Sequence, residues 1–229
     1  MLIAGFPAGS FSTNCYVLAP GPGTECVVVD PGQDATEGIE AILAEHRLKP
    51  VAVLLTHGHI DHIWSVLPVC GAHDVPAYIH PADRVLLSDP ARGLGPAGLA
   101  LLGGLTLTEP DDVRELGADP VISLAGMDFT VDLTPGHTPG SVTFRLGDTA
   151  LLAGDLIFAG SVGRTDLPGG DYDQLMDSLA RVILPMPDEL AVLPGHGPAT
   201  TIGTERATNP YLRQAALDVG HTATPTKGM

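Results

Sequence analysis

Three histidines and one aspartate crowd into Thr56-His57-Gly58-His59-Ile60-Asp61-His62. Imidazole nitrogens and carboxylate oxygens are the ligands that divalent zinc, iron and manganese accept. Packing so many ionisable groups together is costly unless a cation binds them. Three more candidates stand downstream. His137 lies in Thr134-Pro135-Gly136-His137-Thr138, Asp155 in Ala153-Gly154-Asp155 and His196 in Pro194-Gly195-His196-Gly197. A glycine beside each lets the backbone turn sharply and approach a ligand closely. Five histidines and two aspartates suffice for two metal sites with positions left open for water. His46, His73, His80 and His221 stand alone in sequence and read as ordinary core or surface residues.

The elements that must position these residues are short apolar strands. Cys26 to Asp30, stopped by Pro31-Gly32, reads as a buried strand. Asp34 is placed to cap a following helix with Ile39, Ile42, Leu43 and His46 on one face, ended by Pro50. Val51 to Leu55 is the next strand, so the unit implies a parallel pair. The histidine-rich segment then leaves the strand's carboxyl end, where α/β folds place their sites. Met127–Leu133, Ser141–Leu146, Thr149–Ala153 and Leu190–Leu193 read as further strands, with a hairpin turn at Gly147-Asp148. Asp171 with Gln174 resembles a capping box. It opens a helix with Tyr172, Leu175, Met176, Leu179, Val182 and Ile183 on one face. Such a mixture predicts a layered α/β (α+β) domain. The stretch 92–120, with a weak helical signal over 96–102, reads as a lid or a surface excursion.

Composition narrows the partners. The 229 residues carry 11 basic and 27 acidic side chains, a net charge of −16. That charge opposes binding to nucleic acid and to an acidic membrane surface. No segment reads as a signal peptide or a membrane span. Cys15, Cys26 and Cys70 are too few for a disulfide scaffold and read as buried reduced thiols. The expected location is the cytoplasm. Trp64 reads as core before pocket wall, and Ser141 as a turn hydrogen bonder.

The T-H-G-H-x-D-H run, followed in order by His137, Asp155 and His196, resembles the metallo-β-lactamase superfamily. Within it, Asn14-Cys15-Tyr16, Val29-Asp30-Pro31-Gly32 and Asn209-Pro210-Tyr211-Leu212 are similar to the glyoxalase II group of thioester hydrolases. The resemblance implies an αββα sandwich, two mixed β-sheets with helices on both outer faces. It assigns His57, His59 and His137 to a first metal, Asp61, His62 and His196 to a second, and Asp155 to the bridge. Two divalent ions are implied, zinc first, with iron or manganese also compatible. The implied reaction is cleavage of a thioester, S-lactoylglutathione or another acylated low-molecular-weight thiol, by a metal-bridging hydroxide. Asp61 and Asp155 are the catalytic candidates. Asp30 reads equally as a support for the ligand loop or as a turn cap before Pro-Gly.

Two departures bear on the substrate. Two-domain glyoxalase II enzymes carry a helical carboxyl-terminal domain, whereas 229 − 196 = 33 residues follow His196 here. That leaves room for about one helix, so residues 1–229 read as one domain with a short helical tail from about 202 and no separate substrate-binding domain. The second departure is Gly163-Arg164-Thr165-Asp166, which also resembles the persulfide dioxygenases of the superfamily. Their single iron would fall on His57, His137 and Asp155. Arg164 is a candidate for a substrate carboxylate, or a partner of Asp166. A β-lactam substrate and an RNA-processing role are disfavoured, the first by the absent signal peptide and the second by the charge. Oligomeric state is open.

Overall fold

Alternation along the strands shows why two sheets form. In Cys26-Val27-Val28-Val29 every side chain is buried, and successive ones point to opposite faces. Such strands need apolar layers on both sides. A computed structural model describes residues 1–95, 107–117 and 120–222. The first sheet runs β1 (Leu2–Ala8), β2 (Thr13–Ala19), β3 (Glu25–Val29), β4 (Lys49–Leu54), β5 (Ala77–Ile79) and β6 (Val113–Glu115) in spatial order. The second holds β7 (Val121–Leu124), β8 (Met127–Leu133), β9 (Val142–Leu146), β10 (Ala150–Gly154), β11 (Ala191–Pro194) and β12 (Thr200–Thr201), also in order. Both are mixed: β3–β4, β4–β5, β5–β6 and β10–β11 are parallel pairs and the rest antiparallel.

Three apolar layers follow from the period of two. Tyr16, Leu18, Val27, Val29 and Leu54 meet Phe129, Phe144 and Leu152 between the sheets. Their neighbours Val17, Val28, Val53 and Leu55 face outward onto helices α1 (Ala35–His46), α2 (Ile60–Ile63) and α3 (Val66–His73). On the far side, Leu151, Ala153 and Val192 pack on α5 (Tyr172–Ser178), α6 (Ile202–Thr208) and α7 (Pro210–Thr222). Each fully buried Leu or Phe contributes about 1.5–3 kcal/mol by its burial. The short helix α4 (Pro81–Arg84) continues into 3₁₀ turns at Val85–Leu87 and Pro90–Gly93.

Several local expectations need correction. Asp34 occupies the α1 N-cap position, but at φ 56° its side chain makes no cap hydrogen bond. Pro50 does not end α1. The helix closes at Arg47 in the left-handed region, its N–H bonding back to Leu43 and Ala44, and Pro50 lies inside β4. Tyr172 is exposed, because it is the first residue after the Asp171 cap. The helix it opens passes into a π turn at Leu179–Ile183, which keeps Leu179, Val182 and Ile183 inward. Two helices, not one, follow His196 and its short strand, separated at Asn209–Pro210. Trp64 is half-buried against the first outer layer, and all three cysteines are free and buried. The helical signal over 96–102 lies outside the described residues. Of the surrounding stretch, 113–115 forms an edge strand and Leu94 packs on the core. No helix among the described residues is long and apolar enough to cross a membrane.

Candidate metal centre

Four strand ends deliver the seven candidates to one edge of the sandwich. The loop after β4 carries His57 and His59, and the first turn of α2 carries Asp61 and His62. β8 leads to His137, β10 to Asp155 and β11 to His196. Backbone bonds lock these loops together. Val142 donates to the Thr56 carbonyl across the sheets at 2.8 Å, Gly195 to Gly154 at 2.8 Å and Asn14 to Gly195 at 2.7 Å. Tyr16 Oη and Asn14 Nδ2 both donate to the Pro194 carbonyl, holding the His196 turn against β2.

Ligand atoms converge in three overlapping groups: His57/His59/His137, His57/His62/Asp155 and Asp61/His62/His196, each with its ligand atoms within 4.8 Å of one another. Asp155 lies between the outer two. Its Oδ1 is 3.3 Å from His62 Nε2, and its Oδ2 is 3.5 Å from His137 Nε2 and 3.7 Å from His196 Nε2. Asp61 Oδ2 is 3.1 Å from His196 Nε2 and 3.5 Å from His62 Nε2. His57 Nε2, His59 Nε2, His62 Nε2 and Asp155 Oδ1 are buried with no hydrogen-bond partner. An unpaired buried polar atom costs about 1–3 kcal/mol. His57, His62 and Asp155 form one of the converging groups, and His59 turns Nδ1 to within 2.8 Å of His137 Nε2; imidazole and carboxylate atoms crowded this way fit a cation.

The far edge of three of the rings is pinned, which fixes which nitrogen is free, whereas His59 Nδ1 lies 2.8 Å from His137 Nε2 inside the cluster. His62 Nδ1 donates to Asp30 Oδ2 at 2.9 Å. His137 Nδ1 donates to the Arg164 carbonyl at 2.7 Å. His57 Nδ1 lies 3.1 Å from Thr56 Oγ1, which itself donates to Asp30 Oδ2 at 2.6 Å. Asp61 Oδ2 accepts from Thr13 Oγ1 at 3.0 Å. A Cβ at Gly195 would collide with Asp155 Oδ1 and with the His62 ring, so only glycine permits this approach.

Residues 8–196 match the family Metallo-beta-lactamase superfamily. The chain belongs to that superfamily. It is 50% identical to an uncharacterized protein of Mycobacterium tuberculosis, over 93% of this chain and 98% of that one. It is 32% identical to Hydroxyacylglutathione hydrolase GloC of Haemophilus influenzae, over 90% and 95% of the two chains. Three solved structures share its architecture. BLEG-1 B3 metallo-beta-lactamase superposes with TM-score 0.83 at 40% identity, covering 92% of this chain and 99% of that chain. TTHA1623 in a di-iron-bound form superposes with TM-score 0.74 at 38% identity, covering 92% and 100%. ETHE1 from Myxococcus xanthus has TM-score 0.74 at 25% identity, covering 99% and 93%. The αββα sandwich of two mixed sheets is therefore the metallo-beta-lactamase fold, and its superfamily binds metal ions.

In this superfamily chain the two ends of the site are electrostatically unlike. Burial, and then the neighbouring histidines, push the His57 imidazole well below its ordinary range and His59 down to about 3. Both stay neutral and keep lone pairs. Burial would also lower His62, but Asp61, Asp155 and Asp30 around it outweigh that and raise it. His196 is raised against its partial burial by Asp61 and Asp155. Burial would raise Asp61 and Asp155, yet the histidines beside them, His62 foremost, hold both carboxyls below the carboxylate range.

The other named residues divide clearly. The Arg164 guanidinium is exposed and paired with Asp166 at 2.7 and 2.8 Å, so its carbonyl, not its side chain, touches the site. Asp30 supports the ligand loop: its Oδ1 accepts from Thr56 N at 2.8 Å, beside the His62 bond. Ser141 Oγ receives the Thr138 N–H in the turn after His137. His73 pairs with Glu40, and His80 Nδ1 accepts from Ala82 N. The His221 side chain lies outside the described residues. Reading the sequence missed Thr13 and Asp83. Neither carries a local signal, since Thr13 opens a strand and Asp83 follows His80-Pro81 in a helical first turn.

Proposed function

We propose that this chain is a binuclear metal-dependent hydrolase of small thioesters, S-lactoylglutathione or another acylated low-molecular-weight thiol. The observation that carries it is the pair of ligand groups, His57/His59/His137 and Asp61/His62/His196, with Asp155 within 3.7 Å of histidines in both. The similarity to Hydroxyacylglutathione hydrolase GloC supports the thioester, and the di-iron-bound relative supports two ions. The charge of −16 favours a small molecule over nucleic acid, and three buried free thiols fit a reducing cytoplasm.

Two bound divalent cations, zinc first, with iron or manganese compatible, would supply a water deprotonated near neutral pH and a Lewis acid for the thioester carbonyl oxygen. The protein's share is placement. Asp30, the Arg164 carbonyl and Thr56 hold the three ring N–H groups on the far side, so the opposite nitrogens face the centre. Thr13 fixes one oxygen of Asp61, which leaves that carboxylate placed to orient the attacking water. Phe158, edge-on to His196 at 6.0 Å, forms an apolar wall beside the centre. The leaving thiolate is a weak base and needs little acid help, which suits a centre with no lysine beside it among the described residues.

Gly163-Arg164-Thr165-Asp166 motivates a second reading, a one-iron persulfide dioxygenase on His57, His137 and Asp155. It leaves Asp61, His62 and His196 without a role. The test is metal content per chain on protein purified without added metal, with turnover of S-lactoylglutathione. A persulfide and a chromogenic cephalosporin serve as comparison substrates. Two metals with thioester cleavage are expected. One iron with persulfide-dependent oxygen uptake and no cleavage would replace this reading with the dioxygenase, and faster cephalosporin than thioester cleavage would replace it with β-lactam hydrolysis.

A further inference from the structure

A fully buried carboxylate that no step above uses lies behind the centre. Asp83, on α4, is 0% exposed and makes no ion pair among the described residues, although His80 three residues earlier feels its charge. It accepts three hydrogen bonds instead. Its Oδ2 receives Gly58 N at 2.9 Å and Thr138 Oγ1 at 2.6 Å, and its Oδ1 receives Gly140 N at 2.8 Å. Gly58 separates His57 from His59, and Thr138 follows His137. One carboxylate thus bridges the tips of the two loops that carry the three-histidine group, while the Val142 to Thr56 bond ties their bases.

The packing admits little slack. A Cβ at Gly140 would sit 2.6 Å from Asp83 Cγ, and one at Gly58 would sit 2.8 Å from Leu86 Cδ1 and 2.9 Å from the Asp83 carbonyl. The turn after α4 also reaches the site, since a Cβ at Gly93 would lie 3.0 Å from His59 Cδ2. Only a carboxylate serves all three donors. An amide at position 83 would turn an N–H toward one of them, leaving two donors face to face.

We propose that Asp83 is a positioning residue that fixes the gap between the His57–His59 loop and the His137 loop, and so sets how tightly the three-histidine group holds its cation. The proposal rests on the reading of His57, His59 and His137 as ligands of one ion. Loss of a group hydrogen-bonded to a metal ligand typically weakens affinity about 10- to 100-fold. Asp83 acts one residue further back, through Gly58, Thr138 and Gly140, which puts its effect at the lower end, about 10-fold. Because Asp83 contacts neither Asp61, His62 nor His196, the loss falls on one ion and not on both.

Metal-stripped parent, Asp83→Asn, Thr138→Val and Thr138→Ser proteins are titrated with Co²⁺, following visible absorption and binding heat. Urea unfolding of each metal-free protein is measured alongside. Asp83→Asn and Thr138→Val lose about 10-fold at one of two binding steps, with the other within about threefold. Thr138→Ser, which keeps the hydroxyl, matches the parent. If Asp83→Asn does not fold, the Thr138 pair decides the question. Two unchanged steps in Asp83→Asn, or in Thr138→Val where that pair decides, would overturn the positioning role alone. An equal fall at both steps together with lower metal-free stability would replace it with a scaffold role. A parent that takes up no Co²⁺ overturns the ligand reading and this proposal together.

Discussion

Exchanging Asp30 for Asn is nearly isosteric, and it tests whether one carboxylate fixes the proton of a ligand ring. Asp30 stands at φ 49°, a conformation Asn also tolerates, so the backbone is undisturbed. Its Oδ1 accepts from Thr56 N and its Oδ2 from Thr56 Oγ1 and His62 Nδ1. An amide has two ways to fit. With its oxygen kept on Thr56 N, its NH₂ faces His62 Nδ1. The ring then has to keep its one remaining proton on Nε2, the buried atom turned toward Asp155 and Asp61. With its oxygen kept on His62, its NH₂ faces the Thr56 N–H, two donors without an acceptor. Either way one buried hydrogen-bonding group is lost, at about 1–3 kcal/mol. At 1.36 kcal/mol per decade that is about 5- to 150-fold. The first fit places the loss in metal affinity at the Asp61/His62/His196 group, the second in stability of the metal-free protein. Competition titration of Zn²⁺ against a chromogenic chelator reads the one, and urea unfolding in EDTA reads the other. Affinity within about twofold of the parent at both ions, with stability within about 0.5 kcal/mol, would refute the reasoning.

Three further outcomes follow from the same geometry. Filling the Asp61/His62/His196 group at pH 7 should release protons, because His62 and His196 are raised above their ordinary range, whereas the neutral His57 and His59 release none. Affinity at that group therefore rises with pH, and calorimetry in buffers of different ionisation heat counts the protons; equal release at both groups would contradict it. Gly195→Ala should lose one ion of two and most activity, since the added methyl strikes Asp155 and His62, and metal analysis showing both ions retained would remove that account. Asn209 is fully buried; its oxygen accepts from Tyr211 N and its amide donates to Ser161 O and Glu205 Oε2, while Glu205 also receives Gly160 N. Asn209→Ser keeps the helix cap and should lose about 1–3 kcal/mol in urea unfolding, and Asn209→Ala about 1 kcal/mol more. Equal losses in the two would show that the cap contributes nothing.

What the chain declares locally is the chemistry and the layering. His57, His59, Asp61 and His62 announce a cation by type and spacing within one loop. Strands apolar on both faces, such as Cys26–Val29, require cover on two sides and hence a layered α/β domain; that a second sheet supplies one of the covers came from the family resemblance and the tertiary structure. The capping of Tyr172–Ser178 by Asp171 is equally local. Tertiary structure decided everything that depends on pairs far apart in sequence. Asp30 reads equally as a turn cap or a support until Thr56 and His62, 26 and 32 residues away, are seen on its oxygens. Arg164 is a plausible anion binder until Asp166 takes its guanidinium and His137 takes its carbonyl. Asp83 meets its partners 25, 55 and 57 residues away. Helix and strand periods record which face of an element is apolar, and turn residues record where the backbone bends. A buried carboxylate has no such period, and its role is set by whichever donors the packed chain brings within 3 Å.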